Sequence, residues 1–416
     1  MARTFEVPVF YRSPIIARVK DARRITDPRK RDLAPSVLDF GPVRFKLGRH
    51  FGFCYGVENA IEIAYRALEE HPEKAAAGRV FLLSEMIHNP HVNDDLQARG
   101  IRFLRTTAGE QLIPFETLEP DDVVIIPAFG TTREIFQILE GQGVATKTYN
   151  TTCPFVEKVW KKSTQIGRQH FTVVVHGKRY HEETRATFSH AQADAPVVVV
   201  RDIEEAERLA KVIRGEQDRE YFFEHFAERF SPGFDPDRDL QRIGVVNQTT
   251  MLATETQAIA DHLKKAVLQR FGVDALGTHF ADTSDTLCYA TKENQDATIA
   301  LIDSGADLAI VVGGFNSSNT SHLVDLCKAA MPTYFISSAD GIDGARTIHH
   351  FDYHTRENLS TQDWLPVNYD RPVDIVLTAG ASCPDALLDE VIRKVVAMFD
   401  DVLDIDTALA PFAEAA

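Results

Sequence analysis

Long hydrophobic runs are missing from this 416-residue chain. No apolar stretch approaches the ~18 residues that a membrane helix requires, so no membrane association is expected. Met1 to Phe10 carries no basic segment followed by an apolar one, and no secretory signal is expected either. Cysteine is scarce, with five residues, an odd number and widely scattered. That excludes a disulfide framework and points to a reducing compartment, with the cytoplasm as the expected location. No Cys-x-x-Cys pair occurs, which removes the usual structural zinc site. A net positive charge is also absent. The formal charge of -16 sets nucleic acid aside as a partner. What remains, 44% hydrophobic and 25% charged residues, is the composition of a soluble globular protein with two or three domains.

Three of the cysteines share a setting. In Asn150-Thr-Thr-Cys-Pro-Phe-Val-Glu-Lys-Val159, Cys153 opens an amphipathic helix, and Pro154 suits the first helical position. Cys54 opens a helix running to about Glu70, and Cys288 one running to about Ser304. A thiol at a helix N-terminus has a lowered pKa, so each is poised as a thiolate, nucleophile or metal ligand. They lie roughly 100 and 135 residues apart. Cys327 lies on the apolar face of a helix and reads as core; Cys383 reads as a bystander.

The cysteines head three similar copies of one pattern: helix, apolar strand, polar loop, helix, second apolar strand, second polar loop. The strands of copy one are Val80-Phe-Leu-Leu83 and Val123-Val-Ile-Ile126. Those of copy two are Thr172-Val-Val-Val175 and Ile243-Gly-Val-Val246, and those of copy three Leu308-Ala-Ile-Val-Val312 and Asp374-Ile-Val-Leu377. Continuous Val/Ile runs alternating with helices predict buried parallel strands, whose carboxyl ends carry ligand sites. The polar loops follow those ends. The reading is an α/β protein of three pseudo-threefold related modules: 46–148 with Cys54, 149–284 with Cys153, and 285–400 with Cys288. An insertion at about 213–241 reads as a charged helix plus turn, and 340–372 as a loop-rich excursion. Residues 1–45 read as an extension wrapping the first module, partly disordered, and 401–416 as a frayed tail. Between Arg12 and Arg49 bases outnumber acids, which fits either a solvated arm or a dock for an acidic partner.

Three single thiolates suit a cubane iron–sulfur cluster whose fourth iron has no protein ligand; buried, unreactive cysteines are the alternative. The loops add phosphate-type donors: His88, Asn89, His181, Ser317, Ser318, Asn319 and Ser382. Several begin helices, whose N–H groups favour anions, so a di-anionic ligand is expected. Glu183 is the best carboxylate for proton transfer, its pKa raised by its surroundings; a helix N-terminal charge is the other reading, a role that Glu182 would take instead. Thr249 and Thr291 are hydroxyl donors for a proton relay, or helix caps.

Taken together, Gly52-Phe-Cys-Tyr-Gly-Val57, Ile87-His-Asn89, Thr151-Thr-Cys-Pro154, His181-Glu-Glu-Thr184, Asn247-Gln-Thr-Thr250, Cys288-Tyr-Ala-Thr291, Asn316-Ser-Ser-Asn319 and Thr378-Ala-Gly-Ala-Ser382 resemble the LytB/IspH family of 4-hydroxy-3-methylbut-2-enyl diphosphate reductases. The resemblance spans about residues 48 to 398. It implies a trefoil of three α/β domains with mainly parallel sheets around a central 4Fe-4S cluster. Cys54, Cys153 and Cys288 would hold the cluster, which becomes 3Fe-4S on losing its open iron. It implies reductive dehydroxylation of an allylic alcohol diphosphate to isopentenyl and dimethylallyl diphosphates, the last step of the non-mevalonate isoprenoid pathway. Ferredoxin or flavodoxin would supply the electrons. Glu183 matches the proton-delivering glutamate and Thr249 the threonine near the substrate hydroxyl. His88, His181, Ser317, Ser318, Asn319 and Ser382 match the diphosphate-binding positions. Phe129 stands where many members have histidine, with Lys178 or Arg179 as compensating charges. The form of these motifs resembles the cyanobacterial and plastid branch. A three-cysteine lyase like quinolinate synthase, needing no electron donor, is the rival enzyme class, and a non-catalytic iron–sulfur carrier the rival outside enzymes.

Overall fold

Runs of valine and isoleucine become central parallel strands, because β-branched side chains suit a pleat covered on both faces. The computed structural model describes residues 5–281, 283, 286–367 and 371–413. The expected module boundary at 284 and 285, the first four residues of the extension and the last three of the tail lie outside the described residues. The chain divides into two compact units: Met1–Glu58 with His88–His91 and Tyr289–Ala416, and Asn59–Ile87 with Val92–Cys288.

The second unit holds two three-stranded parallel sheets. In one, Val80–Leu82 lies between Ile101–Phe103 and Val123–Ile125. In the other, Thr172–His176 lies between Val197–Val200 and Ile243–Asn247. In the first unit, Leu308–Val312 lies between Thr333–Ile336 and Val373–Ala379, again parallel. In each sheet the first strand after a cysteine-led helix thus lies between two parallel neighbours. The sequence pattern held two strands per copy; the structure adds a third on the far side of the central one. The cores follow the sheets. Phe81, Val124 and Ile126 pack in the first sheet's core, Val173, Val175 and Val199 in the second's, and Phe45, Ile310 and Ile375 in the third's.

Residues 1–45 differ from the expectation. Strand Val43–Leu47 pairs parallel with Val373–Ala379, and Ser36–Asp39 closes that sheet's edge antiparallel. Helix Pro14–Thr26 buries Ile15, Ile16, Val19 and Ala22. Its N-cap Ser13 accepts from the Ile16 N–H and donates to Asp389 at 2.7 Å. The segment is therefore part of the first unit's core. Its apolar residues sit at i, i+1, i+4 and i+7 between many bases, so the stripe is narrow and easily missed.

The run 340–372 is likewise more regular than expected. It contains an antiparallel sheet of Ile342–Asp343, Thr347–Asp352 and Glu357–Gln362. The outer strand Glu357–Gln362 is almost wholly exposed, so it lacks the alternation that marks a half-buried strand. In the tail, Ile405–Leu409 is helical and buries Ala408 and Leu409. The 213–241 insertion contains helix Arg219–His225 and a short turn of helix at Pro236–Asp239, held by rings of Phe222, Phe226 and Phe234.

Candidate functional site

In the second unit the decisive residue is Glu183. Helix Glu182–Ala191 begins after strand Thr172–His176, and His181 caps it by accepting the Glu183 N–H on Nδ1 at 3.2 Å. Glu183 is only 2% exposed. Thr249, in the loop after strand Ile243–Asn247, donates its N–H to Glu183 Oε1 at 2.5 Å and its hydroxyl to Oε2 at 3.0 Å. Burial disfavours the charged form and the two donated bonds favour it. Burial wins, and the carboxyl is pushed up to about 7. A group with that pKa gives and takes protons readily near neutral pH.

The surrounding loop is fixed by its own amides. Gln248 Oε1 accepts from the Thr184 hydroxyl at 3.0 Å and from the Lys178 N–H at 3.1 Å, while Nε2 donates to Thr250. Gln248 thereby sets the backbone on which Thr249 rides. Asn247 accepts from the Thr286 hydroxyl at 2.8 Å, tying the strand end to the segment that leads to Cys288. Phe129 meets the His181 ring edge-on, with centroids 6.0 Å apart. Of the two cations weighed as its replacement, Arg179 is engaged elsewhere: it donates to the Glu228 carbonyl and lies over Phe188.

The first unit contains a cradle of small polar residues. Helix Ser318–Lys328 follows strand Leu308–Val312, with Ser317 as N-cap. Ser317, Ser318 and Asn319 are all buried, as are His88 and Ser382. Ser382 donates to the His88 carbonyl at 3.2 Å. Thr320, which the sequence reading passed over, donates its hydroxyl to Ser317 Oγ at 2.9 Å. Two glycines permit this closeness. A Cβ on Gly314 would lie 2.2 Å from the His88 carbonyl oxygen, and one on Gly380 2.0 Å from Thr320 Oγ1. Within this shell Asn319 is 3% exposed, and neither atom of its amide has a hydrogen-bond partner. The Asn89 Nδ2 is likewise unpartnered. A buried amide left bare costs roughly 1–3 kcal/mol, so a polar ligand is the natural occupant of this shell. Backbone N–H groups at the start of an eleven-residue helix give that ligand a negative sign.

The cysteines fall into two kinds. Cys54, Cys153 and Cys288 directly precede helices Tyr55–Glu70, Pro154–Arg168 and Tyr289–Asp303. Cys153 is the N-cap itself, and its N–H is held by the Ala128 carbonyl beyond strand Val123–Ile125. The Cys54 N–H is held by the Ala381 carbonyl, beside Ser382. Cys54 and Cys153 are half-buried and Cys288 is buried, and none is in a disulfide. Cys327 and Cys383 lie fully inside apolar cores. Burial pushes the Cys327 thiol up to about 12 and the Cys383 thiol up as well, which makes both inert. Three helix-leading thiols therefore stand as candidate ligands and two are excluded. Among the described residues no three His, Cys, Asp or Glu side chains form a ready-made metal group. Thr291 is buried in the first turn of its helix.

A cleft of about 680 Å³ in the first unit reaches Cys54. Phe51, Phe53, Tyr55 and Tyr289 line it, with Arg12, Lys20, Arg24 and Lys30 around them. All four of these bases are paired: Arg12 with Glu58, Lys20 with Asp385, Arg24 with Asp21 and Lys30 with Glu293.

Known proteins resemble this chain over most of its length. Residues 45–396 match the LytB protein family. A protein of Gloeobacter violaceus named 4-hydroxy-3-methylbut-2-enyl diphosphate reductase is 41% identical over 359 residues, covering 85% of this chain and 83% of its own. One of the same name from Prochlorococcus marinus is 38% identical over 372 residues, covering 89% and 88%. The solved E-1-hydroxy-2-methyl-but-2-enyl-4-diphosphate reductase of Plasmodium falciparum has the same fold at a TM-score of 0.60 and 19% identity, covering 85% of this chain and 87% of its own. No helix among the described residues is long and apolar enough to cross a membrane. With most of its length matched, the chain belongs to the LytB family.

Proposed function

We propose that this protein is a 4-hydroxy-3-methylbut-2-enyl diphosphate reductase. It removes the allylic hydroxyl as water with two electrons and two protons, leaving isopentenyl and dimethylallyl diphosphates. The observation that carries the chemistry is the buried Glu183, pushed up to about 7 and gripped by Thr249 through both oxygens. Glu183, protonated in about half of the molecules at neutral pH, delivers the proton, while the Thr249 hydroxyl orients the substrate hydroxyl. The diphosphate is taken by His88, Ser317, Ser318, Asn319 and Ser382, with His181 as a further donor; the bare amide of Asn319 supports this assignment. Phe129 cannot donate to phosphate and instead holds the His181 ring edge-on.

Cys54, Cys153 and Cys288 would hold a 4Fe-4S cluster, for which three unbridged thiols at helix N-termini are a fitting donor set. When bound, such a cluster supplies electrons and an open iron acting as Lewis acid toward the substrate oxygen. The donor would be ferredoxin or flavodoxin, docking at the aromatic-lined cleft that reaches Cys54. The test is oxidation of reduced viologen by the anaerobically reconstituted protein. Oxidation only when the allylic diphosphate is added supports the reductase; turnover of a substrate without any electron donor would instead indicate a lyase.

A further inference from the structure

Two carboxylates stand side by side in the first turn of helix Glu182–Ala191, and the proposed chemistry uses one. Glu182 is buried like its neighbour, but its partners differ. The Ser84 hydroxyl, in the loop after strand Val80–Leu82, donates to Glu182 Oε1 at 2.5 Å. Ser84 is itself buried. Arg105 and Arg185 stand near enough for the charge of Glu182 to act on both. Arg185 is fixed by bonds to the Thr107 and Ala108 carbonyls at 2.7 and 2.9 Å. Both guanidiniums pack around Gly109. Each is partly desolvated, they repel one another, and each is favoured by the charge of Glu182.

We infer that Glu182 is a positioning residue: its bond to Ser84 and its charge facing Arg105 and Arg185 lock the first helical turn, so that Glu183 stays buried against Thr249. This inference rests on the proton-donor reading of Glu183. Three elements converge on that turn. The loop after strand Val80–Leu82 holds Glu182, the loop after strand Ile243–Asn247 holds Glu183, and the segment around Gly109 supplies Arg105 and holds Arg185. A single glutamate cannot serve both as anchor and as proton carrier, because one carboxyl cannot accept the Ser84 hydroxyl and both Thr249 bonds from opposite loops. Adjacent residues on a helix point about 100° apart, so one turn can present the two carboxyls to different partners. The charged or titratable groups near this turn include His181, Glu182, Arg105, Arg179 and Arg185; the charge of Glu182 favours Arg105 and Arg185, and Arg179 opposes Arg185. The pKa of Glu183 is set by burial and by Thr249 alone.

In S84A and E182A the turn loosens, water reaches Glu183, and its pKa falls back toward the ordinary carboxylate value. Turnover requiring protonated Glu183 then declines at lower pH, so the alkaline limb of the kcat profile moves down by about one unit or more. S84T, which keeps the hydroxyl, restores the limb. The carboxyl C=O stretch in infrared difference spectra gives a readout independent of the loaded enzyme. It titrates near neutral pH in the parent, is absent in E183Q, and titrates lower in S84A and E182A. If S84A and E182A lose amplitude while limb and stretch titrate as in the parent, the positioning role is overturned. If the parent itself shows no diphosphate-dependent oxidation of viologen, it is the functional reading that fails, and the infrared titration still decides the inference.

Discussion

At Glu183, burial and hydrogen bonding pull in opposite directions, and the result has consequences for both rate and stability. E183Q removes the transferable proton while preserving shape and at least one bond to Thr249. General acid–base groups contribute about 10²–10⁴-fold, so turnover should fall within that range with the cluster chromophore retained. The stability effect has a definite sign. The folded carboxyl keeps its proton up to about 7, whereas the unfolded one releases it near the ordinary 4.5. Between those values the native state binds more protons, so stability falls as pH rises; the contribution is full below the lower value and gone above the higher. Urea melts at pH 5 and pH 8 should therefore show a smaller decline in E183Q, by up to about 3 kcal/mol. An unchanged decline would mean that Glu183 titrates as if exposed.

At the scale of elements, loop and helix terminus act together. The cradle of Ser317, Ser318, Asn319 and Ser382 stands at the carboxyl ends of Leu308–Val312 and Val373–Ala379, and the backbone of helix Ser318–Lys328 faces the same loop. Its bare amide is a structural cost that the proposed diphosphate ligand would offset. N319A should raise KM for the diphosphate about tenfold, the loss of roughly one hydrogen bond to a charged group. The ligand-free protein should melt at the same temperature or higher, since an unsatisfied buried group has gone. A lower melting temperature with unchanged KM would place Asn319 in the framework. The cysteines divide in the same way. Serine at Cys54, Cys153 or Cys288 should each abolish the visible absorbance of the reconstituted cluster. C327A should keep that absorbance and lose about 1 kcal/mol or more of stability, because Cys327 fills the core beneath its helix.

Much of this was legible in the chain itself. Cysteine, proline and a polar run before an apolar helix define a helix start by local chemistry alone, and strands such as Thr172–His176 announce burial by their valines. Pairing is a different matter. Val197–Val200 carries the same valine signal as Ile243–Asn247, but nothing linear says which edge each takes. Ile101–Phe103 has only three residues, with Arg102 exposed. The Ser84 bond to Glu182 spans 98 residues and has no local signature at all. The same holds for Val43–Leu47, whose alternating Arg44 and Lys46 read as a basic arm until Asp374 is seen to pair with both.

For the whole molecule, the decisive quantity is where charge is left unpaired. The chain carries -16 overall, so an acidic electron carrier would be repelled except at a local basic surface. The N-terminal bases fitted either a solvated arm or such a dock, but Arg44, Lys46 and Arg49 are spent on Asp374 and Asp27 inside the first unit. The bases exposed outside the ion pairs of this region are Arg18, Arg29 and Arg31. These, with the rim bases of the cleft at Cys54, are the steering charges available to a protein donor. Replacing Arg18, Arg29 and Arg31 together by glutamine should slow ferredoxin-driven turnover several-fold at low ionic strength, with the difference vanishing as salt approaches ~1 M, where the Debye length is about 3 Å. Turnover driven by reduced viologen, a small cation needing no protein dock, should not change. Because the three arginines lie outside the buried ion pairs, melting should also stay within about 0.5 kcal/mol of the parent. Equal ferredoxin-driven rates in parent and variant at low salt would remove this surface as the donor's landing site and leave the cleft's aromatic floor as the remaining contact.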